Sequence, residues 1–422
     1  MTDEPTKSLR VEIQDSSSSW LTVGILHHRQ EISWFETEGE YWETPQRPVL
    51  GQIFEERGAK WHPSQRVSLP NWFSHLLPEG YIREAVADAL HVNAKREFFL
   101  LSRLGLDDLP GAIRVVPEEG VLAGQTPSHS DDGQTESPGE EVILKFSLAG
   151  VQPKFSVLED SRKGLTIPAR GQAGDWIVKL PDSRPGFDNV PEAEFASMEL
   201  ARSIGIPVPE TRLIPLSDIG GLPDWARKES RRSFAIQRFD RAADGGRIHA
   251  EVLAQVLDVP TTDERYKYQR ANVETISSLI SGLCGADAVA DVIDRVVLNV
   301  IIGNGDAHLK NWAIVYPDTR KPQLSPVFDV LPTVLYLPED DLGPKLNGNK
   351  NFGAVSLSSF ERLARRSFVE YDQVRSRVLS AVERIQGNWS LLKELLVADQ
   401  YDRLTRRKDS LLLVRDALTA RT

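Results

Sequence analysis

Asn304-Gly305-Asp306-Ala307-His308-Leu309-Lys310-Asn311 follows directly on an apolar run at 296–302. A loop that gathers Asp, His, Lys and Asn within six positions at the end of a buried element is costly unless those groups have partners, so the stretch invites a catalytic reading. Downstream, Ser325-Pro326-Val327-Phe328-Asp329-Val330 places a second aspartate after a β-like run. Upstream, β-like runs at 142–146, 155–158 and 176–180, a helix at 192–204 and a further strand at 234–239 precede a mostly helical second half, with helices at 251–257, 273–283 and 286–302 and through the last 60 or so residues. Strands first and helices afterwards, around a loop-rich centre near 303–332, predict an α+β domain of two lobes with a cleft between them.

Ahead of that domain, residues 8–117 read as a small α+β unit. It has a strand at 21–26, a helical stretch at 72–90 interrupted by Pro78 and Gly80, and a second at 94–104 that stops at Gly105, a suitable C-cap. Between the two, residues 118–141 hold seven acidic residues, no Lys, no Arg and no aromatic residue. Such a segment buries too little apolar surface to offset its ordering entropy and is expected to be a mobile acidic tether. The remainder, 142–422, divides near 240 into an N-lobe of about 142–240 and a C-lobe of about 241–422.

The chain of 422 residues has 40% hydrophobic and 26% charged residues, ordinary globular usage. Its formal charge of -11 argues against coating nucleic acid by charge alone, although the last 62 residues carry 13 Lys or Arg against 9 Asp or Glu, with Arg406-Arg407-Lys408 available to phosphates. Cys284 is the single cysteine, which excludes an intrachain disulfide and a Cys-ligated zinc site and suits a reducing compartment. The first residues lack a basic region followed by an apolar one, and no apolar run approaches the ~20 residues that span a bilayer. A cytoplasmic protein without membrane association is expected.

The five-residue offset from Asp306 to Asn311 matches the catalytic loop of protein kinases, in which the Asp receives the acceptor hydroxyl's proton and the Asn holds a metal. Asp329 then falls where a kinase places its principal magnesium ligand, and oxygen donors suit Mg2+. Ser147-Leu148-Ala149-Gly150-Val151-Gln152-Pro153-Lys154 lies between two strands, where a Gly-containing turn can aim backbone N–H groups at phosphate; an ordinary hairpin accounts for it as well. Lys179, a lone cation in an apolar strand, has the position from which a kinase lysine reaches phosphates, or else faces water from an edge strand. Glu194 on the next helix could pair with it, or simply be solvated. Gln237-Arg238-Phe239-Asp240-Arg241 sits where an interlobe hinge would hold adenine through backbone groups and the Phe239 ring. No P-loop pattern occurs. Metal-assisted phosphoester hydrolysis ranks last, because it requires further His blocks downstream and seven of the eight histidines lie at or before His249.

Read together, these blocks resemble the HipA family of bacterial toxin–antitoxin serine/threonine kinases. The likeness runs from Asn71-Trp72-Phe73-Ser74-His75-Leu76-Leu77-Pro78 and Phe99-Leu100-Leu101-Ser102-Arg103-Leu104-Gly105 through 146–154, 176–181, 237–241, 304–311 and 325–330, about four-fifths of the chain. The resemblance implies a HipA-like, protein-kinase-like fold behind a small N-terminal domain, with ATP and Mg2+ as cofactors. It implies Asp306 as catalytic base, Asn311 and Asp329 as metal ligands, and Lys179 as the phosphate-binding lysine. Ala149, Gly150, Val151, Gln152, Lys154, Gln237, Phe239, His308, Lys310 and Asn311 would border the nucleotide, and Ser147 would be an autophosphorylation site acting as an off switch. It further implies a helix-turn-helix antitoxin (HipB-like), operator DNA reached through that complex, and a protein substrate in translation such as an aminoacyl-tRNA synthetase. Gln237 departs from the usual Glu of the hinge, the 118–141 insert has no family role, and the block from Gly105 to Ala112 departs from the usual spacing. A small-molecule kinase and a nucleotide-dead scaffold bridging antitoxin and DNA are the alternatives.

Overall fold

The computed structural model describes residues 5–106, 108–118, 154–160, 164–168, 172–182, 184–222 and 231–420. The expected strand at 142–146, the acidic tether from 119 onward, and Ser147, Ala149, Gly150, Val151 and Gln152 lie outside the described residues. The chain is α+β and gathers into two compact units, Met1–Leu180 with Ile214–Thr262 and Val315–Lys321, and Pro181–Leu213 with Asp263–Ile314 and Pro322–Thr422. Among the described residues no helix is long and apolar enough to cross a membrane.

In the first unit, β1 (Lys7–Gln14), β2 (Trp20–Arg29), β3 (Ile32–Thr37), β4 (Ser64–Arg66) and β5 (Ile113–Pro117) form an antiparallel sheet in the order β4-β3-β2-β1-β5. Period-two burial directs Leu9, Val11 and Ile13 of β1 into the core. The helical stretch at 72–90 is two helices, α1 (Asn71–Ser74) and α2 (Gly80–Ala89), because Pro78 cannot continue a helical hydrogen-bond ladder. Helix α3 (Glu97–Leu104) buries Phe98, Phe99, Leu100, Leu101 and Leu104. Gly105 does follow it, but with φ -65 rather than a left-handed cap. Its glycine is required by close approach instead: a Cβ there would stand 2.5 Å from Val115 O on β5.

A second sheet of this unit sets β9 (Ile219–Gly220), β7 (Leu165–Thr166), β6 (Lys154–Glu159), β8 (Trp176–Lys179) and β10 (Arg232–Gln237) side by side in that order. Phe155, Val157, Trp176, Val178 and Ala235 share one hydrophobic core with the first sheet. Beneath it lies a buried ionic clasp. Asp108 pairs with Arg238 at 2.8 Å and Arg241 at 2.5 Å, Arg238 also pairs with Asp240 at 2.8 Å, and the Gly111 N–H donates to Asp240 Oδ2 at 2.7 Å. Burial alone would raise the Asp108 carboxyl, but the two guanidinium groups outweigh it and hold it at about 2. The irregular block from 105 to 112 therefore supplies the acid that neutralises the Gln237-to-Arg241 motif. The segment expected as a helix at 251–257 starts instead as the strand His249–Val252. There buried Glu251 accepts from Gln52 N–H at 2.9 Å and Trp72 Nε1 at 3.2 Å.

The second unit is built on helices: α4 (Val190–Ser203), α5 (Tyr266–Gln269), α6 (Val273–Cys284), α7 (Ala288–Ile302), α8 (Tyr371–Asn388) and α9 (Ala398–Ser410). Helix α7 is buried almost all round, as a central helix must be. Its one fully buried carboxylate, Asp294, is bound by Arg377 at 2.8 and 2.6 Å and by Arg384 at 2.8 Å, all from α8. Within the stretch read as loop-rich, Ala313–Tyr316 forms a strand with all four residues buried.

Candidate active site

Helix α7 ends at Gly303, whose φ of +77 starts the turn into the candidate loop; a Cβ there would also meet Val334 Cγ2 at 2.5 Å. Arg407 of α9 donates through Nη1 to Val300 O at 2.9 Å and Ile301 O at 2.7 Å, satisfying carbonyls of the last turn. Burial lowers this guanidinium to about 10. Arg407 is thus committed inside the fold, which removes it from the basic run expected to meet phosphates.

Past Gly303 the loop is held mostly by its own polar groups. Asn304 accepts from the Asp306 N–H at 3.1 Å and donates to Asn299 Oδ1 at 3.0 Å. The Gly305 N–H donates to Thr333 Oγ1 at 2.8 Å, and the Asn311 amide donates through Nδ2 to Asp306 O at 2.7 Å. Trp312 Nε1 donates to Ala307 O at 3.2 Å. The backbone of Gly305, Asp306 and Ala307 is thereby fixed while the Asp306 side chain keeps half of its exposure. His308 and Lys310 are buried. The Lys310 N–H donates to His308 Nδ1 at 3.3 Å, which places the imidazole proton on Nε2, 3.5 Å from Asp306 Oδ1.

Asn299, Asn304, Asn311, Trp312, Val327 and Asp329 line one pocket of this unit together with Arg295. Two elements far apart in the sequence therefore present Asn311 and Asp329 to the same space. Asp329 has φ +54, in the left-handed region that a non-glycine residue occupies at a cost, as residues at functional sites do. Because Asn311 uses Nδ2 on the loop, its Oδ1 remains as a donor atom, and with the Asp329 carboxylate the pocket offers the hard oxygen pair that suits a divalent cation bound to phosphates.

Arg295 was not legible as part of the site. It sits in α7 and reads as one polar residue in an apolar helix, yet it is buried and donates through Nη2 to Ser325 O at 2.6 Å, four residues before Asp329. Burial lowers it to about 10 against the pull of Asp291 at 3.8 Å. Tyr268 was missed as well: its hydroxyl donates to Asp306 Oδ1 at 2.5 Å from a helix 38 residues upstream. Only spacing, on α7 for Arg295 and on α5 for Tyr268, could have hinted at them, and spacing says nothing of partners across the fold.

The other expected residues lie where their own units place them. Lys179 is buried in β8, between Lys154 of β6 and Phe234 of β10, with Nζ 5.7 Å from the Phe234 ring centre. It is not an edge-strand lysine facing water, because β8 is central in its sheet. Gln237 is exposed at the end of β10, and Phe239 is half-buried. Glu194 is buried in α4, so it is not a solvated helix residue; it belongs to the second unit and Lys179 to the first.

Two family models match the chain: the HipA N-terminal domain over residues 18–116 and the HipA-like C-terminal domain over 146–389. A Sinorhizobium fredii protein named "Putative kinase Y4dM" is 40% identical over 374 residues, covering 86% of this chain and 88% of its own. The serine/threonine-protein kinase toxin HipA of Shewanella oneidensis is 22% identical over 298 residues, covering 62% of each chain. The solved Shewanella oneidensis toxin–antitoxin complex of HipA, HipB and operator DNA matches with a TM-score of 0.67 at 18% identity, over 97% of this chain and 99% of that one, a likeness of fold. Both halves of the resemblance in the sequence are matched in order, and the relatives carry kinase names. The chain belongs to the HipA family.

Proposed function

We propose that this protein is an ATP-dependent serine/threonine protein kinase, the toxin of a toxin–antitoxin pair, which phosphorylates a protein of the translation apparatus and itself at Ser147. One observation carries the reading: Asp306 and Asn311 share one loop at the kinase offset, and Asn311 shares a pocket with Asp329, which follows in kinase order. Asp306 takes the proton of the acceptor hydroxyl as its oxygen bonds to the γ-phosphorus, the bridging P–O bond breaks with its electron pair leaving on ADP, and the proton passes to solvent. Asn311 and Asp329 would hold Mg2+, which neutralises phosphate charge when bound. Lys179 would meet the α and β phosphates, with Glu194 as its ion-pair partner. Lys154, Gln237, Phe239, His308 and Lys310 would border the nucleotide, along with the turn from Ala149 to Gln152.

The likeness to a complex of HipA, HipB and operator DNA supports a helix-turn-helix antitoxin as partner and DNA reached through it. It also supports residues 8–117 as an N-terminal domain joined by 118–141 to a kinase domain. Incubation of the purified chain with labelled ATP and Mg2+ is expected to label Ser147, and Asp306→Asn to lower the rate about a hundred- to ten-thousandfold. Label that persists in that variant removes the role of Asp306; transfer to small alcohols or amines with none to protein favours a small-molecule kinase instead.

A further inference from the structure

The carboxylate of Asp306 has a partner outside the catalytic loop. Tyr268 donates its phenolic hydroxyl to Oδ1 at 2.5 Å, and His308 Nε2 lies 3.5 Å from the same oxygen. The tyrosine ring stands edge-on to the imidazole, 4.9 Å between centroids at 77°. Helix α5, which carries Tyr268, is itself tied to the loop, because the Leu309 N–H donates to Lys267 O at 3.1 Å. The phenol is therefore placed by backbone as well as by its own hydrogen bond, and is not free to swing in and out of the site.

A carboxylate accepts through two oxygens. With Oδ1 facing the phenol and the imidazole, and the side chain still half exposed, Oδ2 is the oxygen left to take the acceptor's proton. We infer that Tyr268 is a positioning residue for phosphoryl transfer: it holds Asp306 by Oδ1 so that Oδ2 meets the acceptor hydroxyl. The inference rests on the kinase reading above. A charge-assisted hydrogen bond of this kind both orients the carboxylate and removes alternative rotamers from the resting site. The opposite role, in which the phenol occupies the acceptor's place and must withdraw, predicts a faster enzyme when the hydroxyl is removed.

The full chain, Tyr268→Phe, Tyr268→Ala and Asp306→Asn are compared for initial rates of self-labelling across ATP concentrations with Mg2+, and for thermal midpoints with and without nucleotide. Tyr268→Phe keeps the ring against His308 and is expected to lower the maximal rate about ten- to hundredfold, with the half-saturating ATP concentration and the ATP-induced thermal shift unchanged. Tyr268→Ala is expected to fall at least as far. An unchanged or faster Tyr268→Phe overturns the proposal, as does a loss that comes with weaker ATP saturation or a lowered midpoint, since either marks a merely structural residue. Wild-type protein that labels nothing, or Asp306→Asn that labels normally, removes the kinase reading itself and the proposal with it.

Discussion

Asp329 concentrates the chemistry of the pocket in one residue. Its carboxylate was readable from the motif Ser325 to Val330, but its φ of +54 was not, because nothing local in Val-Phe-Asp-Val demands a left-handed residue. The conformation is imposed from outside: Arg295 holds Ser325 O, and the Val327 N–H donates to Pro207 O at 2.8 Å. This separates two effects in one pair of variants. Asp329→Ala and Asp329→Gly both lose the proposed metal ligand, so in both the ATP-induced thermal shift in Mg2+ is expected to vanish and labelling to fall by about a hundredfold or more. Only glycine relieves the backbone, so Asp329→Gly is expected to be more stable than Asp329→Ala by about 1 kcal/mol in urea unfolding. Equal stabilities would show that the left-handed conformation carries no strain. For Lys179, a lysine reaching phosphates and a solvated edge lysine were equally good readings from the strand alone, and the two neighbouring strands exclude the edge.

Among the elements, helix α7 decides how well the loop is presented. The apolar run at 296–302 was legible, and so was the helix it belongs to, because apolar periodicity is a local signal. What anchors the helix was not legible. Asp294 is fully buried and takes three hydrogen bonds from Arg377 and Arg384, residues about 80 and 90 positions later in the chain. Asp294→Ala leaves two guanidinium groups facing an apolar helix, and is expected to cost about 3–5 kcal/mol in urea unfolding at pH 7. A loss below 1 kcal/mol would mean that water replaces the carboxylate. Gly303→Ala combines the left-handed penalty with the contact to Val334. It is expected to cost about 2 kcal/mol and to slow labelling through the displaced loop, with retention of full activity counting against that coupling.

Over the whole molecule, the first unit depends on charges that the sequence scattered. Asp108 meets Arg241 across 133 positions, and the run Gln237 to Arg241 read as a nucleotide hinge contributes both of its arginines, Arg238 and Arg241, to the clasp. Because Asp108 titrates at about 2 in the fold against an ordinary 3.8, its contribution is present above pH 4 and is lost as the pH falls toward 2. Asp108→Asn is expected to destabilise the protein by about 3 kcal/mol at pH 7, and the gap from wild type to narrow between pH 4 and pH 2; a gap independent of pH would mean that the carboxylate is already protonated in the fold. By itself the amino-acid sequence determined the α+β class, most helices of the second half, and the candidate residues Asp306, Asn311 and Asp329, because periodicity, turn chemistry and motif spacing act over a few residues. The tertiary structure alone decided which polar groups are buried together: Asp108 with Arg238 and Arg241, Asp294 with Arg377 and Arg384, Tyr268 with Asp306. A buried charge or hydroxyl is stable only beside its partner, and the partner's place in the chain is set by how the elements pack, which no local pattern records.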